Sequence, residues 1–212
     1  MRFLIVTATE AEVARLNPGM RGGREVDVLV TGVGMVATAV RTTRTLLQTR
    51  YDLALNLGVC GSFDRTLTPG TVVHVVSDEM PELGAEDGES FLALWELGLF
   101  GADDAPLANG RLVNDAPPEN RALARLPAVR GITVNTVHGN PRTIDAITAR
   151  VDPQVESMEG AAFMYACLVH GLPFAQVRAV SNLVERRNRA AWKLQEAIEN
   201  LHRAALDIID QL

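Results

Sequence analysis

The stretch Val28-Leu29-Val30-Thr31-Gly32-Val33-Gly34-Met35-Val36-Ala37 runs from a β-branched strand through two glycines into a helical pattern, and its reading decides the fold. It fits G-x-G-x-x-[G/A] between a strand and a helix, and Asp52 lies about twenty residues on, the spacing of a dinucleotide-binding turn. In that architecture the glycines follow the first strand and the ribose-binding acid ends the next one. Here the glycines follow the second strand, and Asp52 starts the apolar run Leu53 to Val59. The motif is therefore read as a tight turn that lets backbone N–H groups approach a ligand, and not as a nicotinamide or flavin site.

On either side of this turn, short β-branched runs alternate with helical patterns, the signature of parallel strands joined by crossovers. Strands are predicted at Phe3 to Thr7, Asp27 to Thr31, Leu53 to Val59, Thr71 to Ser77, Ile132 to Val137 and Phe174 to Val180. Helices are predicted from Thr9 to Pro18-Gly19, from Gly34 to about Arg50, and from Glu159 to Gly171-Leu172-Pro173. The clearest is the last, where Leu194, Ile198, Leu201, Ala205, Ile208 and Leu212 form one apolar stripe. Between Asp78 and Glu89 stand six acids, a proline, two glycines and no base, and turn residues continue to Asn120, a pattern read as a lid or binding loop. A second glycine loop, Gly58-Val59-Cys60-Gly61-Ser62, is expected to end the third strand, where open parallel sheets bind ligands. Neither glycine loop ends in Gly-Lys-[Ser/Thr], which argues against a triphosphate cradle.

The 212 residues are 47% apolar but only 5% aromatic, so the core is expected to be Val, Leu, Ile and Ala, as suits parallel strands covered by helices. A net charge of −6 with one short basic cluster argues against nucleic acid and points to a small-molecule partner. Cys60 and Cys167 lie in apolar surroundings without metal or disulfide spacing and read as free thiols of a reducing cytoplasm. Met1 to Thr9 is too short an apolar stretch for a signal peptide, and the uncharged run Gly160 to Val169 is too short for a bilayer. His74, His138, His170 and His202 show no metal-ligand spacing, so neither metal nor cofactor is expected.

Three sites could carry chemistry. Thr9-Glu10-Ala11-Glu12 is a capping box, and the same Glu12 carboxylate at the end of the first strand could take a proton from water. Local sequence admits both readings. Val155-Glu156-Ser157-Met158-Glu159-Gly160-Ala161-Ala162 places two acids where a strand turns into a helix; Glu156 reads as a helix-start acid. Glu159, followed by three small residues, reads as a buried carboxylate that needs donors such as a pair of sugar hydroxyls. Arg178-Ala179-Val180-Ser181-Asn182 ends a strand, and Glu185-Arg186-Arg187-Asn188-Arg189 follows; Asn182 reads equally as a turn residue and the arginines as a solvated loop.

Taken together, these segments resemble the nucleoside phosphorylase and methylthioadenosine/S-adenosylhomocysteine nucleosidase family over nearly the whole chain. Met1 to Val13 is similar to its opening strand and catalytic-acid helix, Thr31 to Ala37 to its S-G-I-G-x-V-A turn, Val155 to Ala162 to its ribose motif, and Arg178 to Asn182 to its R-A-I-S-D strand end. Asp78 to Gly98, Val134 to Gly139 and Ser181 to Arg189 are similar to the subgroup that cleaves futalosine in an alternative menaquinone pathway.

The resemblance implies one α/β domain over residues 1–212, a three-layer α/β/α sandwich with a mixed, largely parallel central sheet, and a homodimer. It also implies hydrolysis of the bond between ribose and hypoxanthine. Glu12 takes the position of the general base and Asn182 that of the leaving-group contact. Glu159, Met158, Arg178, Gly61 and Cys60 are implied to hold the substrate, with Arg178 orienting the carboxylates and a core position the alternative for Met158. One of Arg186, Arg187 or Arg189 is expected to pair with the substrate's aromatic carboxylate, since planar carboxylates favour arginine.

Asn182 stands where the family has Asp, and an amide supplies N–H donors that suit the N7 and O6 acceptors of a 6-oxopurine. Asn56-Leu57-Gly58 replaces a phosphate-binding arginine, which favours water over phosphate. Val59 replaces a serine that helps hold the water. The competing readings are an adenine-releasing nucleosidase, a purine nucleoside phosphorylase and a non-catalytic nucleoside-binding protein.

Overall fold

A computed structural model describes residues 1–16 and 18–212. Its strands are β1 (Arg2–Thr7), β2 (Gly19–Arg21), β3 (Arg24–Val30), β4 (Leu53–Ser62), β5 (Val72–Glu79), β6 (Gly84–Asp87), β7 (Ser90–Ala93), β8 (Leu112–Val113), β9 (Ala128–Thr133), β10 (Val155–Ser157) and β11 (Phe174–Leu183). The helices are α1 (Met35–Gln48), α2 (Pro141–Arg150), α3 (Gly160–His170) and α4 (Leu194–Gln211). The sheet runs β10-β9-β5-β11-β4-β1-β3-β2, with β8 added to β5.

The sheet is mixed. β3, β1, β4 and β11 are mutually parallel, whereas β5 runs antiparallel to β11 and parallel to β9. β10 pairs with β9 at one edge and also, antiparallel, with β4, so that β4, β11, β5, β9 and β10 close into a ring.

Two apolar layers flank the sheet. Leu201, Ala205, Ile208 and Ile209 of α4 pack on Phe3, Ile5, Leu55, Leu57 and Val177. Ala161, Phe163, Met164 and Cys167 of α3 pack on the alternate residues Leu4, Val6, Ala54 and Phe174. The alternation along β1 is the period-2 rule of a strand buried on both faces. α3 is buried on nearly every side, which explains its uniformly apolar sequence, and α1 packs beside it. Among the described residues, no helix is long and apolar enough to cross a membrane.

Several sequence expectations need correction. The helix expected from Thr9 is a single 3-10 turn, Glu10–Glu12, and Val13 already leaves helical geometry at φ −127°, ψ 7°. The segment before Pro18 is too short to sustain a helix alone, and the Glu12 side chain is drawn to donors on β1 and β4. Gly58 to Ser62 is not a loop but the end of β4, carried on by its pairing with β11 and β10. The strand expected at Ile132 to Val137 spans Ala128–Thr133, in register with β5 and β10. Beyond it the chain follows the start of α3, whose Ala161 N–H donates to Thr133 Oγ1 at 2.7 Å.

Asp78 to Asn120 is not a lid over the site described below. It holds the β6–β7 hairpin and β8, and Met80, Leu83, Phe91, Trp95 and Leu107 surround a separate small hollow of about 120 Å³. Asp52 sits at the start of β4, accepting the Arg2 N–H at 2.7 Å, at the end of the sheet opposite the Gly32 and Gly34 turn.

Candidate active site

Because β1, β3, β4 and β11 run parallel, their C-terminal ends share one edge, and a cavity of about 560 Å³ opens there. Glu12 follows β1, Val33 follows β3, Cys60 and Gly61 close β4, and Ser181 and Asn182 close β11. Antiparallel pairing of β10 with β4 sets Glu156 opposite Gly61 and delivers Ser157, Met158 and Glu159 to the same cavity.

Glu12 is a cap and a site residue at once. Its Oε2 accepts from Thr9 N–H, Thr9 Oγ1 and Thr7 Oγ1, each at 2.9 Å, and its Oε1 accepts the Val59 N–H at 3.2 Å. The carboxylate is therefore held at both oxygens while it lines the cavity. Its main chain is tied down by α4, where His202 Nε2–H donates to the Glu12 carbonyl at 2.9 Å.

Glu159 is the N-cap residue of α3, yet its side chain does not cap that helix. Its Oε1 accepts the Gly34 N–H at 3.0 Å, and its Oε2 lies 3.6 Å from Arg178 Nη1. Gly34 adopts φ +99°, a conformation that side-chain-bearing residues avoid, so the glycine turn presents an N–H to a carboxylate rather than to a phosphate.

Arg178 does not line the cavity, in contrast to the substrate contact the family resemblance implied. It is 1% exposed and lies beneath the floor, donating to Asn56 Oδ1 at 2.5 Å and facing Glu159. Gly58 makes room for it, since a Cβ there would collide with Arg178 Nη1. A buried charge requires such pairing, and Arg178 acts on the site through Glu159.

Asn182 lines the cavity at a β-bulge of β11, its Oδ1 2.8 Å from the Ser181 hydroxyl and its Nδ2 3.0 Å from the Leu183 carbonyl. The Ser181 hydroxyl also reaches the Cys60 carbonyl, at 3.1 Å. Cys60 lines the cavity with its thiol pushed up to about 12 by burial, which makes it a wall and not a nucleophile.

Of the arginines after β11, Arg187 lines the cavity and Arg186 and Arg189 do not. Arg187 is pinned by its N–H to the Gly139 carbonyl (3.2 Å), and its guanidinium lies 5.1 Å from the ring centre of Trp192.

Two cavity residues escape a local reading of the sequence. His138, on the loop after β9, and Glu156 face each other across elements eighteen residues apart, with Nδ1 2.6 Å from Oε2. The available signal was that Val134 to Gly139 follows a strand and that Glu156 stands in the segment Val155 to Ala162; only the β9–β10 pairing brings the two together.

Residues 7–210 match the phosphorylase superfamily. The futalosine hydrolase of Acidothermus cellulolyticus is 31% identical over 219 residues, covering 96% of this chain and 88% of that protein. The futalosine hydrolase of Streptomyces coelicolor is 32% identical over 227 residues, covering 95% and 92%. The native structure of the Helicobacter pylori futalosine hydrolase shares the fold, with a TM-score of 0.80 over 100% of this chain and 98% of that one at 15% identity.

Proposed function

The chain belongs to the phosphorylase superfamily, and from that premise we propose that it is an N-ribosyl hydrolase that splits futalosine into hypoxanthine and dehypoxanthine futalosine. One observation carries the choice of water as nucleophile. Among the described residues, the cavity is lined by four carboxylates, Glu12, Glu156, Glu159 and Glu185, and by a single cation, Arg187. A phosphate nucleophile would need several cations, whereas water needs a base.

In this reading Glu12 takes the proton of the attacking water as the ribosyl carbon becomes cationic. Glu159, fixed by Gly34 and Arg178, accepts the ribose hydroxyls and stabilises the developing positive charge. Asn182 hydrogen-bonds the departing purine, with Met158 against the sugar. Arg187 over Trp192 suits an aromatic carboxylate, one group matching the charge and the other the ring.

The proposal includes a cytoplasmic setting, supported by two cysteines that remain free thiols, and a homodimer, supported by an exposed apolar surface on α1 and α3. The test is incubation with futalosine, methylthioadenosine and inosine, with and without phosphate, followed by chromatography of free purine. Hypoxanthine from futalosine without phosphate is the expected result; adenine release, or a requirement for phosphate, overturns the reading.

A further inference from the structure

An amide at position 182 leaves one part of this reaction without an agent. Asn182 can hydrogen-bond a departing purine, but an amide has no proton to give up, and a purine that leaves with the electron pair of the glycosidic bond must be protonated. Among the groups lining the cavity, Arg187 does not release a proton and the Cys60 thiol holds its own too tightly. Histidine is the side chain that exchanges protons near neutrality, and His138 is the histidine in the lining.

Its geometry is that of an aimed acid. Both oxygens of the buried Glu156 carboxylate hold it: Oε1 accepts the His138 backbone N–H at 3.0 Å, and Oε2 lies 2.6 Å from Nδ1. A carboxylate only accepts, so Nδ1 carries a proton, and Nε2 has no partner among the described residues. Phe63 meets the ring edge-on with centroids 6.0 Å apart and fixes its tilt. The dyad also borders Asn182: a Cβ placed on Gly61 would lie 3.4 Å from both Asn182 Nδ2 and Glu156 Cγ.

We propose that His138 is the general acid for the leaving purine and that Glu156 is its positioning residue. The bond between the ribosyl carbon and purine N9 breaks with its electron pair going to the purine, which takes the Nε2 proton of His138 at N7. The water oxygen bonds to the ribosyl carbon, and its proton goes to Glu12. Return of that proton from Glu12 to His138 through solvent restores both groups. The charged groups around the ring are Glu156 on β10, Glu185 and Arg187 after β11, Glu82, which accepts the Asn135 N–H of the same loop at 3.0 Å, and Glu12 and Glu159 in the shared cavity.

The identity of the purine rests on the futalosine reading; the dyad does not. The experiment therefore uses whichever of futalosine, methylthioadenosine and inosine the wild-type protein cleaves, and records kcat against pH. His138→Gln is expected to lower kcat by about 10²- to 10⁴-fold, with KM little changed, and to abolish the alkaline fall of the wild-type profile. Glu156→Gln is expected to cause a smaller loss and to shift that alkaline limb. Free imidazole is expected to restore part of the activity of His138→Ala. Wild-type kcat in His138→Gln on futalosine overturns the dyad and leaves the substrate reading intact. Cleavage of inosine or methylthioadenosine alone overturns the substrate reading, while loss of the limb in His138→Gln on that nucleoside upholds the dyad. A loss of kcat that imidazole does not restore, with the alkaline limb still present, marks a structural contact and overturns the proposal.

Discussion

Glu12 shows why a residue's local and functional roles need not compete. The capping box predicted from Thr9-Glu10-Ala11-Glu12 forms, and its donors are what hold the carboxylate toward the cavity. Glu12→Gln keeps the size but puts an NH₂ group where one carboxylate oxygen accepts an N–H or hydroxyls. The expected outcome is a fall in kcat of about 10²- to 10⁴-fold in a purine-release assay, against near wild-type turnover if the residue only capped a turn. Asn182→Asp restores an acidic partner at the leaving group, and the ratio of kcat/KM for a 6-amino over a 6-oxo nucleoside is expected to rise about tenfold or more. At the mouth, Arg187 is exposed, so its charge is partly screened by water. Arg187→Ala is expected to raise KM for futalosine by about five- to thirtyfold, a loss of about 1–2 kcal/mol, with kcat unchanged. Arg186→Ala, outside the cavity, is the matched control and should change KM less than about twofold.

At the scale of elements, what the sequence made legible depended on whether neighbours in the chain supplied the partner. α1, α3 and α4 and the cores of β1, β4, β5 and β11 carry their own periodicity and stop signals, and they lie where the pattern puts them. β8 and β10 are three residues or fewer and exist through pairing with strands far along the chain, so no local pattern announces them, and β2 is a three-residue strand folded back on β3. α2 begins at Asn140-Pro141 and buries one residue, Ile147, too thin a stripe to read. The site divides in the same way: Glu12, Glu159 and Asn182 stand in recognisable segments, whereas the His138–Glu156 pair depends on the register of two strands. β5 offers a test of buried charge within one element. Burial raises the Asp78 carboxyl from 3.8 to about 6, despite donors from Gln176 and Thr133, and lowers the His74 imidazole from 6.5 to about 4. Asp78 favours the folded state when protonated, and that contribution is lost as pH rises through about 6. His74 favours it when neutral, a contribution complete above 6.5 and lost as pH falls through about 4. The two oppose each other over the same window. In urea unfolding at pH 7 and pH 4, Asp78→Asn is expected to lose about 2–2.5 kcal/mol more than wild type on acidification, and His74→Gln about 3 kcal/mol less. Equal losses in all three proteins would show that neither group is shifted.

The whole molecule leaves one surface unexplained by its own packing. α1 buries only two side chains, both threonines, Thr38 and Thr42, and turns Val36, Val40 and Leu47 outward at 78%, 62% and 73% exposure. At 100° per residue these three share one stripe, and Tyr165 and Val169 of the adjacent α3 are exposed at 38% and 61%. A contiguous apolar surface of this kind marks an interaction face. Val33, 58% exposed, links it to the site, because Val33 also lines the cavity beside the turn whose Gly34 N–H holds Glu159. A second copy docked on α1 and α3 would cover the stripe and brace the turn that fixes the Glu159 carboxylate. Val36→Glu with Val40→Glu places two like charges in that face, where burying them unpaired costs several kcal/mol. Sedimentation is expected to give twice the chain mass for wild type and the single-chain mass for the double variant. The variant's purine release should fall mainly through KM, because the Glu159 anchor loosens while Glu12 and the His138–Glu156 pair keep their own supports. A wild-type protein that sediments as one chain, or a double variant that still sediments as two, would remove the pairing from this face and leave the Gly34 turn to stand on the contacts within one chain.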